Sequence, residues 1–162
     1  MRNSMLNRRC FRVSCVTVLW LLCASSTPSP AQAQSPESSF TGATASSMLD
    51  QIASALVAHN PSRMLSAFDL NKMTDGPLFK QQTVLFFRQT DVIRVLFNQI
   101  ETSMEDGKGQ VTVQAEINAE PSDVFQMPAL HKRAQLRLVA EPSGRGWKFT
   151  DIQPRTFFSI QQ

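Results

Sequence analysis

An alternation of apolar and polar residues recurs in the second half of the chain and constrains its fold more than any other feature. A period of two is typical of a strand with one face on the core and the other in water. Residues 111–118 alternate without a break. The same period holds over most of three further segments, which are 91–98, 130–138 and 146–153. The last of them carries Trp147, which we expect to be buried.

Turn-forming residues separate these segments. Asp-Gly-Lys-Gly at 106–109 and Pro-Ser-Gly-Arg-Gly at 142–146 are typical of hairpin turns, and a loop bounded by Pro121 and Pro128 divides the second strand from the third. The sequence therefore predicts four antiparallel strands joined in sequence order.

Two isoleucines, Ile100 and Ile152, fall one residue out of step with their strands. A one-residue slip sends a side chain to the other face of a sheet unless a β-bulge absorbs it and bends the strand. The slips predict bulges near 98–99 and 150–151 and a strongly curved sheet. In the alternative, both side chains lie on the opposite face, under the chain's tail or a partner.

Three helices are predicted ahead of the strands. The first has an apolar stripe over 48–57 and a serine cap at 46 or 47, and it ends near residue 59. Asn60-Pro61 opens a short second helix, and Pro77 opens a third that reaches about residue 89. A strand over 84–87 is the alternative for the third. The fold class is therefore α+β, with helices packed on a curved four-stranded antiparallel sheet that forms a cone with a pocket at its mouth.

The first 33 residues have the three parts of a secretory signal peptide, namely arginines before residue 13, an apolar run at 13–24, and Ala-Gln-Ala ending at Ala33. We expect cleavage after Ala33 and export to the periplasm or beyond. A retained anchor is the alternative, but this run is shorter than the roughly 20 residues that span a bilayer. A flexible leader at 34–45 then precedes a domain at 46–160. No cysteine lies after residue 33, so a disulfide and a thiolate nucleophile are excluded from the mature chain.

The basic charge of the chain belongs to its leader. Of 16 Lys and Arg residues, 12 follow residue 33, against 13 Asp and Glu residues. Nucleic-acid binding, which needs a basic face on the folded domain, is therefore not expected.

The order of elements and one motif carry a resemblance. Asn60-Pro61 with its short helix, the helix through 79–87, the strands from Asp91, and the closing motif GWKFTDI at 146–152 resemble the nuclear transport factor 2-like superfamily. Within it they are most similar to small bacterial SnoaL-like domains of unknown function. The resemblance covers residues 46–158. It implies a cone with a pocket and dimerisation through the sheet, and it is compatible with lyases, isomerases and non-catalytic binding domains.

The two histidines give weak support for catalysis. His59 follows a helix end, where an imidazole interacts favourably with the helix dipole. His131 lies in the polar register of its strand, next to Lys132 and Arg133, which form either a solvated group or an anion site. Neither histidine has the spacing of a metal site, and the chain has no phosphate-binding or dinucleotide fingerprint, so no metal and no cofactor are predicted.

The resemblance implies two kinds of acid–base chemistry. Isomerases of the family pair a carboxylate with a tyrosine, which this chain does not contain. A dehydratase-like site needs a histidine and a carboxylate together, and His131 with Asp91 or Asp69 is the candidate pair. Asp91 is better explained as a turn or cap residue at the start of its strand.

Three functional hypotheses result. The first is an exported, non-catalytic domain that binds a small apolar ligand or a protein partner, including a second copy, through its curved sheet. The alternatives are a cofactor-free lyase or isomerase with a His/Asp pair at the cone mouth, and a structural subunit of an envelope assembly. No membrane span is expected after signal cleavage. The candidate pocket residues, each of which also suits the core, are Met64, Phe68, Phe86, Phe97, Met127 and Trp147.

Overall fold

The computed structural model describes residues 39–125 and 128–160, all of which belong to one compact unit. Within them, three helices precede four strands, as the sequence predicts. The elements are α1 (Gly42–Val57), α2 (Pro61–Ser66), α3 (Gly76–Gln89), β1 (Thr90–Glu105), β2 (Lys108–Pro121), β3 (Leu130–Ser143), β4 (Gly146–Gln153) and a 3₁₀ turn (Arg155–Phe158). The alternative of a strand over 84–87 is wrong, because these residues lie within α3. No helix in the described ranges is long and apolar enough to cross a membrane.

Several predictions fall on residues that the structure does not describe. Four of them lie outside the described residues: the signal peptide at 1–33, its cleavage after Ala33, the start of the leader, and Met127.

The four strands form one antiparallel sheet in the order β1-β2-β3-β4. The hairpin between β1 and β2 turns at Asp106 and Gly107, whose φ angles are 50° and 74°. Two successive residues with positive φ match the twist of a tight hairpin. Gly144, with φ of 62°, turns the chain between β3 and β4. The fold class predicted from the alternation is therefore confirmed.

Both predicted bulges are present. In β1, Gln99 pairs with Val113 and Glu101 with Thr112, so Ile100 is the extra residue. In β4, Phe149 and Asp151 pair with successive residues of β3, so Thr150 is the extra one. The bulges bend the sheet around the helices, which agrees with the predicted curvature.

The helix starts differ in one place from the prediction. Thr41, rather than a serine at 46 or 47, caps α1, since its hydroxyl accepts a hydrogen bond from the Thr44 amide at 3.2 Å. Residues 42–45 of the predicted leader are therefore helical, and Phe40 before them is 5% exposed. The predicted cap of α2 is confirmed, because Asn60 Oδ1 accepts from the Arg63 amide at 2.9 Å.

The core lies between the helices and the concave face of the sheet. Phe149, which is fully buried, connects both layers. Its amide donates to the Ala67 carbonyl at 3.0 Å, and its carbonyl accepts from the Asp69 amide at 2.8 Å. Trp147, two residues earlier, is only half-buried at the periphery of the core, which corrects the expectation that it would be fully enclosed.

Candidate functional site

A cavity of about 270 Å³ opens at one end of the sheet, where β1 begins, β2 ends and β3 begins. Ile160, from the segment after the 3₁₀ turn, also lines this cavity. Its lining is mostly apolar and includes Thr90, Ala119, Pro121, Pro128, Ala129, Leu130 and Ile160.

The strand register explains this lining. Thr90 pairs with Pro121, and Ala119 pairs with Leu130, so strand ends from three neighbours meet at one edge. The Thr90 hydroxyl donates to the Phe86 carbonyl at 2.8 Å, which satisfies it within the protein. The Thr90 hydroxyl is therefore engaged, and carbon atoms make up most of the wall that faces a ligand.

Lys132 lies beside this cavity on the inward face of β3. The row Leu130, Lys132, Ala134 faces the helices, and Lys132 pairs across the sheet with Ile117, which is fully buried. Its ammonium donates to the carbonyls of Thr156, at 3.3 Å, and Ser159. Partial burial lowers the pKa of Lys132 below its ordinary value of 10.5, because desolvation disfavours the charged amine.

A second depression, of about 240 Å³, lies at the same sheet edge and includes Asn118 and His131 of the outer face. Here the His131 Nδ1 forms a short hydrogen bond with Asn118 Oδ1. Arg94 and Glu120 also line this surface. His131 is exposed and lies in the polar register, as the sequence predicts.

The three candidate catalytic residues are not brought together. The Asp69 amide donates to the Phe149 carbonyl, and Phe149 pairs with Ala140 on β3. Ala140 and His131 are nine residues apart along β3, so about 30 Å of extended chain separates them. Asp91 lies on β1, and β2 separates β1 from β3. Arg94 is the β1 residue that lies across the sheet from His131, since both pair with Asn118, and Asp91 precedes Arg94 by three positions. That placement separates the backbones of Asp91 and His131 by roughly 14 Å.

The candidate pocket residues lie away from the cavity lining. Met64, Phe68 and Phe86 are at most 3% exposed and pack in the core, while Phe97 and Trp147 are half-buried against it. His59, at the predicted helix end, has its ring edge-on to Phe87 with centroids 5.3 Å apart.

Sequence reasoning did not indicate this cavity lining or the partly buried environment of Lys132. The available signal was the register itself, because Lys132 shares its face with Leu130 and Ala134 while His131 and Arg133 point the other way. A cation in an otherwise apolar row of a half-buried strand indicates a special environment. Among residues 39–125 and 128–160, no group of three or more His, Cys, Asp or Glu side chains is placed to hold a metal ion.

Solved structures with low sequence identity share this architecture. A conserved protein from Planctomyces limnophilus matches with a TM-score of 0.57 and 10% identity, over 68% of this chain and 91% of the other. A proposed scytalone dehydratase from Novosphingobium aromaticivorans matches with a TM-score of 0.59 and 11% identity, over 68% and 79%. A proposed dehydratase of the nuclear transport factor 2-like family from Streptomyces avermitilis matches with a TM-score of 0.55 and 11% identity, over 68% and 91%.

No protein-family model and no curated protein matches the sequence. At these identities the likeness establishes a shared fold and leaves the activity open. The resemblance carried by the closing motif is thus confirmed for the architecture, and the chain has the nuclear transport factor 2-like fold.

Proposed function

We propose that the protein binds a small apolar ligand in the cavity at the open end of the cone. The observation that carries this proposal is the lining, in which Ala119, Leu130 and Ile160 present carbon atoms and the Thr90 hydroxyl is already bonded to the Phe86 carbonyl. A largely apolar concavity is the usual form of a small-molecule site. At about 270 Å³, the cavity suits a ligand of modest size.

The separation of the candidate acid–base residues supports binding over catalysis. A general base must lie within hydrogen-bond reach of the proton that it moves. His131 is on the outer face with Asn118 as its partner, and Asp69 is at the far end of β3. The dehydratase names of two fold neighbours apply to those proteins, and in this chain the candidate pair of His131 with Asp91 or Asp69 is not brought together.

Octan-1-ol, a neutral ligand with a flexible apolar body, is a suitable probe. We expect it to shift the backbone amide NMR signals of Ala119, Leu130 and Ile160 in the isotope-labelled protein. Ala129→Phe places a ring in the cavity wall and is expected to abolish the shifts. Ala58→Phe is the matched control, because Ala58 is also exposed and lies at the end of α1. Shifts that persist in Ala129→Phe would contradict the proposal.

The outer sheet face favours a second role, association with another copy of the chain. Val92, Leu96 and Ile100 are 40%, 55% and 58% exposed along β1. Beside them, Glu116 on β2 lies directly opposite Arg133 on β3. A patch that carries an apolar row and both signs of charge can pair with itself across a two-fold axis.

Sedimentation velocity tests this association. Leu96→Asp is expected to convert a dimer to a monomer, since it buries an unpaired carboxylate in the interface. Leu78→Asp, at an exposed position of α3, is the control and should leave the dimer intact. A wild-type chain that sediments as a monomer at every concentration would rule this role out.

We propose, from the predicted signal peptide, that the protein carries out either role in the periplasm or outside the cell. Mass spectrometry of the exported protein is expected to give a mature N-terminus near Gln34. An intact Met1 in that fraction would contradict export by cleavage.

A further inference from the structure

The depression of about 240 Å³ that includes Asn118 and His131 carries two opposite charges in its wall. Arg94 on β1 and Glu120 on β2 both line it. Arg94 pairs with Asn118, and Glu120 lies two residues beyond Asn118 on the same strand, so Arg94 and Glu120 are diagonal neighbours. The Cα atoms of diagonal neighbours are about 7–8 Å apart. The guanidinium and the carboxylate therefore border the same small volume.

Neither of these charges is used within residues 39–125 and 128–160. In those ranges, Arg94 and Glu120 form no ion pair and no side-chain hydrogen bond, with each other or with another residue. Asn118 differs from them, because its Oδ1 is bonded to His131 Nδ1 and its Nδ2 donates to Glu116 Oε1 at 3.4 Å. The two charged groups are thus open to a ligand, while the amide between them is already engaged.

The remaining described lining of this depression is apolar, and consists of Val92, Ala119, Ala129 and Leu130. A ligand that matches the whole wall has an anionic group for Arg94, a cationic group for Glu120 and a carbon body. A guanidinium binds a carboxylate through two parallel hydrogen bonds. An α-amino acid carries its carboxylate and its ammonium on one carbon atom, so a single small molecule supplies both charges.

We infer that this depression binds a free α-amino acid with an apolar side chain. Its carboxylate lies on the Arg94 guanidinium, its ammonium on the Glu120 carboxylate, and its side chain on the apolar part of the wall. The inference goes beyond the proposed cavity function, because it uses two charged side chains outside the described cavity lining. The two sites adjoin at the sheet edge, where both are lined by Ala119, Ala129 and Leu130.

L-leucine, 4-methylpentanoate and 3-methylbutan-1-amine form a matched set of probes. The second lacks only the ammonium of leucine, and the third lacks only its carboxylate. NMR titrations of the isotope-labelled wild-type chain at pH 7 follow the backbone amides of Arg94 and Glu120. We expect leucine to bind with a Kd about fivefold lower than that of either fragment, since each exposed ion pair adds a small but measurable affinity.

Two variants test the charges separately. Arg94→Gln should remove the advantage of leucine over 3-methylbutan-1-amine and keep its advantage over 4-methylpentanoate. Glu120→Gln should do the reverse. Arg63→Gln on α2 and Asp50→Asn on α1 are the matched controls, because both side chains are exposed and lie outside the described lining. They should leave all three Kd values unchanged.

The outcomes separate this inference from the proposed function. Leucine that binds no tighter than its two fragments, or does not shift the amides of Arg94 and Glu120, would overturn the inference and leave the octan-1-ol site in place. A preference for leucine over both fragments that survives in Arg94→Gln and in Glu120→Gln would also overturn it.

Self-association needs its own control, because Val92 lines this depression and also belongs to the apolar row proposed for association. The titrations are therefore repeated on Ile100→Asp, which places a charge in that row six residues from Arg94. The same ranking of the three probes is expected. Leucine binding that is lost in this folded chain would overturn a site formed by a single copy.

Discussion

The ring of Phe40 packs on the indole of Trp147, with centroids 4.9 Å apart and ring planes at 58°. Phe40 also covers Gly109 at the start of β2, where an added Cβ would lie 2.2 Å from Phe40 Cδ1. Trp147 belongs to β4 and Gly109 to β2, and β3 lies between them in the sheet. The segment before α1 is therefore packed against two strands that do not pair with each other.

Gly109→Ala is expected to destabilise the domain by about 1–3 kcal/mol, the usual cost of overpacking a filled site. The added methyl group would force the Phe40 ring away from the sheet and from Trp147. Urea unfolding followed by tryptophan fluorescence measures both the stability and the change around Trp147. Gly146→Ala is the control, because a Cβ there would meet nothing within 4 Å.

A double variant identifies the cause of this cost. In a chain that already carries Phe40→Ala, the further change Gly109→Ala should lower the free energy of unfolding by no more than a few tenths of a kcal/mol, because the ring that the new methyl group would meet is absent. The effects of mutations at two contacting residues are not additive for this reason. Equal costs of Gly109→Ala with and without the Phe40 ring would show that the packing of Phe40 is not the reason that glycine is needed.

Ile152 and Ile100 break the strand pattern in the same way in the sequence, but the structure treats them differently. Ile152 is fully buried and Ile100 is 58% exposed. We expect Ile152→Ala to lower the free energy of unfolding by about 2–5 kcal/mol, because it leaves a cavity in the core. Ile100→Ala should cost less than about 1 kcal/mol. Urea unfolding of both variants checks the pair, and a similar cost for the two would contradict the bulge geometry.

This pair illustrates how much of the fold the sequence predicts. Alternation and turn residues were sufficient for the strands, their order and the places where the register slips, because these are local properties of the chain. The face on which each isoleucine lies after the register slip depends instead on how the strand pairs with its neighbour. Thr150 is the extra residue of β4 and precedes Ile152, so Ile152 returns to the inner face. Ile100 is itself the extra residue of β1 and stays outside.

The candidate site was harder to predict for the same reason. Large residues such as Met64 and Phe86 suit a pocket and a core equally well, and only the packed structure places them in the core. The observed cavity is lined instead by small residues and prolines from three strand ends and the C-terminal segment. No local pattern indicates that Thr90, Ala119 and Ile160 meet, since their proximity depends on the register of the whole sheet.

The stability of the domain is expected to depend on pH through Glu141. Its carboxylate pairs with Lys108 at 2.8 Å and with Lys72 at 3.0 Å, and hydrogen bonds from Lys108 and then Lys72 lower the pKa of Glu141 below 4.5. A carboxyl group whose pKa is lower in the folded state than in the unfolded state stabilises the folded state at pH values above its unfolded-state pKa. This contribution disappears as the pH falls through its folded-state pKa. Wild-type protein should therefore be more stable than Glu141→Gln at pH 7.

Urea midpoints measured from pH 7 to pH 2.5 test this expectation. The wild-type and Glu141→Gln urea midpoints should converge in acid, and salt should narrow the gap at pH 7 because the side chains of Lys72 and Lys108 are about half exposed to solvent. Glu120→Gln is the control for the loss of an exposed carboxylate, since Glu120 forms no ion pair with a described residue. A constant gap between wild type and Glu141→Gln at all pH values would show that the loss has a non-ionic cause.

Thr83 on α3 is fully buried, and its hydroxyl has no hydrogen-bond partner among the described residues. A buried, unbonded hydroxyl loses its interactions with water and gains nothing in return. Thr83→Val replaces the hydroxyl with a methyl group of similar size, so we expect the domain to become about 1 kcal/mol more stable. The urea midpoint should rise while the dependence of unfolding on urea stays the same.

Thr90 provides the opposite case within the same region. It is 2% exposed, and its hydroxyl donates to the Phe86 carbonyl at 2.8 Å, one helical turn earlier. Thr90→Val should therefore destabilise the domain by about 1–2 kcal/mol, because the carbonyl loses a donor in a buried site. The sign of the effect thus depends on whether the hydroxyl is bonded and not on burial alone. A loss of stability in Thr83→Val comparable with that in Thr90→Val would mean that the Thr83 hydroxyl has a partner in solution.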